Sequence, residues 1–282
     1  MTTPAIGLFG INMGAIADPD AMARVATEAE AAGYESVWTG EHIVLPDPQM
    51  APSPAAPETP MVDSAASLSY LAAVTSTIRL GTGIIILPQR RPAVLAKSLA
   101  GVDHLSGGRL IFGFGVGYLD PEMEACGTPM AGRGERADEY LAAMRTLWGG
   151  DAVSFAGDHV RFRSVTANPK PAQATIPVVV GGNSARAARR AVETGNGWYG
   201  FMRDPETTRA DLARLRAAAD RYDRPADLGR LEISITPARR LGPGDLEAYA
   251  ELGVDRLILQ PGQHRGLDEV LAYVEQYRPG AG

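Results

Sequence analysis

Short runs of β-branched and other apolar residues alternate along the chain with longer stretches whose apolar positions recur at helical spacing. The runs begin at Ile6 (IGLFGI), Ser36 (SVWTG), Ile78 (IRLGTGIIIL), Leu110 (LIFGFGVG), Pro177 (PVVVGG), Trp198 (WYGFM), Leu231 (LEISIT) and Asp255 (DRLILQ). Runs of this kind read as strands. Between them, residues 20–32, 93–105, 133–148, 184–194, 205–222, 243–252 and 267–277 read as helices. Asp18 can cap the first helix, with Pro19 at its first position, and Gly33, Gly149 and Gly253 stand where helices end. An alternating βα pattern implies a parallel sheet. Eight units of about 35 residues fit a closed (β/α)8 TIM barrel spanning 1–282. An open doubly wound sheet also accommodates that many strands, so the count leaves both architectures open.

Two segments break the rhythm. Residues 46–60 (PDPQMAPSPAAPETP) contain six prolines and cannot form regular structure. They follow the second strand and read either as a solvated surface loop or as a lid. The second break is a long gap between the fourth and fifth strands. Within it, in the insertion 151–176, Val153 and Phe155 alternate on one side of Ala156-Gly157-Asp158-His159, and Val160 and Phe162 on the other. That pattern predicts a β-hairpin, too short to carry a core of its own.

Composition narrows the function. The chain carries 27 basic and 33 acidic side chains, a net charge of −6, and a pI near 5.3. A nucleic-acid partner is not expected without a basic excess. No apolar run reaches membrane-spanning length and no secretory leader is visible, so neither membrane nor export is expected and a cytoplasmic location is. Cys126 is the only cysteine, which excludes an internal disulfide and a cysteine-rich zinc site. No metal site is expected. No H-x-x-x-H, H-E-x-x-H or G-x-S-x-G occurs either, so metal-hydrolase and serine-hydrolase chemistry have no support.

A barrel gathers its chemistry where strands end on the C-terminal face. The second strand exits through Trp38-Thr39-Gly40-Glu41-His42. An imidazole there can exchange a proton near neutral pH, or can be a packed histidine with a satisfied hydrogen bond. The glycines of the third run, Gly81 and Gly83, mark a bulge, a close backbone approach or tight packing. In the fourth strand, Gly113, Gly115 and Gly117 strip one face of side chains. A stripped face leaves room for a flat ring or answers a packing demand. It is not a dinucleotide fingerprint, because Tyr118 occupies the position where the third glycine would stand. The fifth strand ends Gly181-Gly182-Asn183-Ser184 and opens into a helix bearing Arg186. Free N–H groups at such a start can meet a phosphate; ordinary capping by Asn183 or Ser184 is the alternative. His104 reads as a solvated helix residue and Asp158-His159 as a turn.

These residues resemble the bacterial luciferase-like flavin and deazaflavin oxidoreductases, in particular the coenzyme F420-dependent branch. The segments that carry the resemblance are WTGEH (38–42), RLGTGIIILPQRRPAVLAKSLAGVDHLSGGRLIFGFGVGY (79–118), GRGERADEYLAAMRTLW (132–148) and VVVGGNSARAARRA (178–191). The resemblance implies a (β/α)8 barrel holding a three-ring cofactor at its C-terminal face. It implies a non-proline cis peptide at Gly83-Ile84 behind the ring. It implies His42 beside the ring as proton donor or acceptor, and Gly181 and Gly182 close to the cofactor phosphate. It also implies a homodimer. The sugar-phosphate dehydrogenases of that branch carry a catalytic glutamate where this chain has Tyr118, and only Lys97 and Lys170 are lysines, which argues against a sugar-phosphate substrate.

The expectation is therefore an F420-dependent oxidoreductase acting on a small organic molecule. His42 would carry the proton, Glu41 would tune it and Tyr118 would shape the pocket. Gly83, Ile84, Gly115, Gly117, Gly181, Gly182, Asn183, Ser184 and Arg186 would hold the cofactor. The alternatives are a reduced-FMN-dependent monooxygenase of the same fold and a cofactor-binding barrel without turnover.

Overall fold

In the computed structural model, described here for residues 3–262 and 265–280, the runs are strands of one closed parallel barrel. The barrel strands are β1 (Ala5–Phe9), β2 (Ser36–Thr39), β3 (Arg79–Thr82), β5 (Leu110–Gly115), β8 (Val178–Gly181), β9 (Gly197–Arg203), β10 (Glu232–Pro237) and β11 (Arg256–Leu259). Their order is β3-β2-β1-β11-β10-β9-β8-β5, and β3 pairs with β5 to close the ring. The third run is not one strand. It breaks after Thr82 at a cis Gly83-Ile84 peptide, and a short β4 (Ile85–Ile86) resumes beside the end of β5.

The helices around the barrel are α1 (Pro19–Ala32), α2 (Ser64–Val74), α3 (Pro92–Leu105), α5 (Arg133–Gly149), α6 (Ala185–Thr194), α7 (Pro205–Ala219), α8 (Asp245–Glu251) and α9 (Leu267–Gln276). A six-residue α4 (Asp120–Ala125) follows β5. Asp18 caps α1 through the Ala21 N–H, with Pro19 in its first turn and Gly33 left-handed at its end, as its start and stop signals require. Two helices, α2 and α4, were not expected. The apolar residues of α2 do not fall on one stripe, and α4 is too short to show a period. At the end of α5 the helix runs through Gly149 instead of stopping before it.

The insertion is the expected hairpin. β6 (Val153–Ala156) and β7 (Arg161–Val165) pair antiparallel, with Phe155 opposite Phe162 and their rings 5.8 Å apart. It lies between the fourth and fifth barrel strands. His104 is exposed on α3, and Asp158-His159 forms the exposed hairpin turn. No helix among the described residues is long and apolar enough to cross a membrane.

Most buried apolar side chains form one core between barrel and helices. A second cluster, built around Phe9, Trp38, Ile111, Val179, Tyr199 and Ile258, fills the barrel interior. Gly81 owes its place to that filling. A Cβ there would stand 2.4 Å from the Trp38 ring, so the bare α-carbon lets the indole lie across the barrel.

Candidate active site

A cavity of about 910 Å3 opens at the C-terminal ends of β1, β2, β3, β5, β8 and β9. Glu41, His42, Gly83, Ile84, Gly115, Gly117, Tyr118, Gly181, Gly182, Asn183, Ser184 and Arg186 all line it. The barrel thus brings together all the residues expected to carry the proton or hold the cofactor. Phe9, Met13, Met61, Tyr199 and Phe201 add an apolar wall that the strand-exit argument did not find. Pro54 of the proline-rich segment also lines the cavity, and residues 46–60 hold no helix or strand.

The polypeptide between β2 and α2 is tied to the barrel on both sides. The buried Asn12 side chain donates to the carbonyls of Gly40 and Val62 and accepts from the Gly40 N–H. The Arg90 guanidinium, meanwhile, bridges Glu41 to Asp63, the capping residue of α2. Glu41 Oε1 also accepts the Ile86 N–H at 2.9 Å. Both oxygens of Glu41 are therefore engaged away from His42. This corrects the expectation that Glu41 tunes the imidazole.

The carboxylate on His42 is Glu122, near the start of α4. His42 Nδ1 lies 2.9 Å from Glu122 Oε2, and Glu122 Oε1 accepts the Ile43 N–H at 2.6 Å. On the other edge of the ring, Tyr118 Oη stands 3.4 Å from Nε2, with the two rings edge to face at 5.9 Å. Burial, reinforced by the nearby Glu122 charge, pushes the Tyr118 phenol above its ordinary value, so it keeps its proton at neutral pH and can donate. A buried carboxylate, an imidazole and a half-exposed phenol thus run in line from the interior to the cavity wall. Glu122 escaped the sequence argument because it lies beyond the strand exit, in a helix too short to show a period.

Of the two readings of the fourth-strand glycines, Gly113 and Gly115 follow the packing one. A Cβ on Gly113 would meet the Thr82 carbonyl at 2.0 Å, and one on Gly115 would meet Ile84 Cδ1 at 2.7 Å. The stripped face is occupied by the neighbouring chain. What it provides to the cavity is the seat for Ile84, whose side chain also stands over Gly181.

On the opposite wall α6 begins. Ser184 caps it by accepting the Ala187 N–H at 3.1 Å. Among the described residues, no hydrogen bond takes up the N–H groups of Ala185 or Arg186. Gly182 has φ +115°, which only glycine adopts freely, and turns the chain into the helix. Arg186 is exposed at the cavity edge, whereas Arg190 is held inside by Asp138.

Comparison with known proteins agrees with this architecture. An uncharacterized protein of Mycobacterium tuberculosis (strain ATCC 25618 / H37Rv) is 32% identical over 269 residues, 92% of each chain. Among solved structures, a monooxygenase from Streptomyces bottropensis superimposes with a TM-score of 0.78 at 22% identity, covering 99% of this chain and 98% of the other. An F420-dependent secondary alcohol dehydrogenase, solved with an F420-acetone adduct, gives a TM-score of 0.76 at 16% identity and covers 99% of both chains. At these identities the two structures speak for the fold. The sequence itself matches the luciferase-like monooxygenase family over residues 5–278, and the chain belongs to that family.

Proposed function

We propose that the chain is an F420-dependent oxidoreductase that moves a hydride between the deazaflavin and a small organic substrate. One observation carries this reading. A single cavity is lined both by a proton-exchanging pair, His42 and Tyr118, and by the start of a ten-residue helix with unclaimed N–H groups.

The residues present fit a flat, phosphate-bearing cofactor. The cavity volume, about 910 Å3, is of the size that encloses such ligands. Gly181, Gly182, Asn183 and Ser184 with the first turn of α6 and Arg186 would hold the phosphate, because helix N-termini favour anions. Ile84, Gly115 and Gly117 would flank the rings. When bound, the cofactor supplies the hydride donor or acceptor at C5. His42 then gives or takes the matching proton at Nε2, with the Tyr118 hydroxyl beside it. The wall of Phe9, Met13, Met61 and Phe201 suits a small, largely apolar substrate and excludes water from it. Glu41 with Arg90 holds the segment that brings Met61 to this wall. The choice of F420 over FMN rests on the Gly-Ile bulge and the RRPAVLAK stretch (90–97), both similar to the F420 branch.

Fluorescence titration of the purified protein with F420 and with FMN tests the reading, on wild type and on Gly182→Asp. Wild type is expected to bind F420 more tightly than FMN. The added carboxylate should weaken F420 binding by roughly tenfold or more through repulsion at the helix start. Preference for FMN would move the chain to the monooxygenase reading. Unchanged F420 affinity in the variant would show that the phosphate lies elsewhere, and binding of neither cofactor would overturn the proposal.

A further inference from the structure

Glu122 has no arginine or lysine paired with it among the described residues, and its ion-pair partner is His42. Its side chain has no solvent exposure, and His42 beside it is only 9% exposed. A buried carboxylate is costly unless donors surround it. Here the Ile43 N–H takes one oxygen and the His42 ring the other.

Those two contacts separate an anchoring role from an orienting one. To hold Ile43 in place, any acceptor would serve, a glutamine amide included. An ionised carboxylate accepts from both neighbours, whereas a glutamine amide would accept from Ile43 and donate to the ring. A carboxylate without a proton cannot donate to Nδ1, so Nδ1 must carry the hydrogen. The opposite nitrogen of a neutral ring is then bare. It is the nitrogen that Tyr118 Oη approaches, on the cavity side.

We propose that Glu122 is a positioning residue that fixes neutral His42 with its proton on Nδ1, leaving the Nε2 lone pair turned to Tyr118 and the cavity. The arrangement makes the ring a directional proton carrier. A proton arriving from the cavity enters at Nε2, and the resulting imidazolium is stabilised by the carboxylate behind it. The chain Glu122–His42–Tyr118 runs from the start of α4 to the exit of β2 and back to the end of β5. Tyr118 and Glu122 both follow β5, and together they clasp the His42 ring that leaves β2. The tautomer is a property of the protein alone. Its consequence for turnover rests on the reading of His42 as proton carrier.

The two parts are tested by different measurements. Protein labelled with 15N in its histidines is examined by long-range 1H–15N spectra in alkaline buffer, with His42→Ala identifying the His42 signals. The proton is expected on Nδ1 in wild type. In Glu122→Gln the amide oxygen still accepts from Ile43, but its NH2 faces Nδ1 and must donate. The ring proton should then move to Nε2. A wild-type ring protonated on Nε2, or a variant with an unmoved proton, overturns the proposal. If Glu122→Gln fails to fold, the wild-type tautomer alone decides. In the turnover arm, Glu122→Gln and His42→Ala should each keep F420 affinity within a few-fold and lower kcat roughly 100-fold or more. A proton that moves to Nε2 while kcat stays at the wild-type value would keep the positioning role and remove His42 from the proton transfer.

Discussion

Two glycines a dipeptide apart on β5 face different neighbours, and the difference decides what a methyl group does at each. At Gly113 a Cβ would stand 2.0 Å from the Thr82 carbonyl, which is backbone and cannot rotate away. The same pair of residues exchanges two hydrogen bonds through the Thr82 hydroxyl, at 2.7 and 2.8 Å, where β3 meets β5 to close the barrel. Gly113→Ala should therefore push the closing strands apart and destabilise the fold by about 3 kcal/mol or more. At Gly115 the contact is Ile84 Cδ1 at 2.7 Å, the far end of a flexible side chain. Gly115→Ala should stay within about 1 kcal/mol of wild type and instead tip Ile84 into the cavity, weakening cofactor binding. Urea unfolding and F420 titration of both variants check the pair. Equal unfolding midpoints would mean that Gly113 is not the packing residue its neighbours make it. The same contrast explains what the sequence displayed of the site. His42 and the Gly181–Ser184 stretch were legible because they stand at strand exits, where a barrel gathers its chemistry. Glu122 was not, since only the fold brings α4 against the exit of β2.

Among the elements, the hairpin shows how a short insertion is held without a core. Glu139 on α5 accepts the N–H groups of Asp158, His159 and Val160. Its slight burial acts to raise its pKa, but the three amide donors outweigh it and the carboxyl lies below its ordinary value. A depressed folded value means that this clamp is complete above the unfolded carboxylate range and is lost as pH falls through the folded value. Protection of the Asp158, His159 and Val160 amides, measured as exchange relative to the intrinsic rate at each pH, should fall on acidification. Glu139→Ala should show the low protection already at neutral pH, with global unfolding unchanged because the hairpin lies outside the barrel. Protection in the variant equal to wild type would assign the hold to Phe155 and Phe162 instead. The hairpin was visible in the sequence through its period of two. The α2 helix was not: its alanines and serines carry little contrast between faces, and packing between α1 and α3 makes it a helix. The break of the third run into β3 and β4 is equally a product of the barrel, where Gly83 N–H bonds back to Thr39.

On the scale of the whole molecule, the end of the barrel away from the cavity is closed by one guanidinium. Arg256 starts β11, and its side chain is 4% exposed. It grips Glu35 with two hydrogen bonds at 2.8 and 3.0 Å, reaches Ser234 at 2.9 Å, pairs with Glu232, and lies over the Trp38 ring at 5.6 Å. One side chain thereby joins the beginnings of β2, β10 and β11 beneath the indole that fills the interior. Burial acts to raise the Glu35 carboxyl, but the Arg256 hydrogen bonds and charge, with help from Ser36 and Arg79, hold it below its ordinary value. The folded value lies under the unfolded one, so the stabilisation is fully present above the unfolded carboxylate range, near pH 4.3, and disappears as pH falls through the folded value. Arg256→Met keeps the apolar stem over Trp38 and removes the charge, leaving Glu35 and Glu232 partly buried without it. That should lower the unfolding free energy by about 3–5 kcal/mol at pH 7. The gap between variant and wild type should narrow as pH falls from the unfolded carboxylate range toward the depressed folded value of Glu35. Cofactor affinity should not change, because the network and the cavity occupy opposite ends of the strands. Urea unfolding of both proteins at pH 7 and in acid, with F420 titration at pH 7, makes the comparison. A gap that stays constant with pH would mean that Arg256 acts through packing on Trp38 and not through its carboxylates.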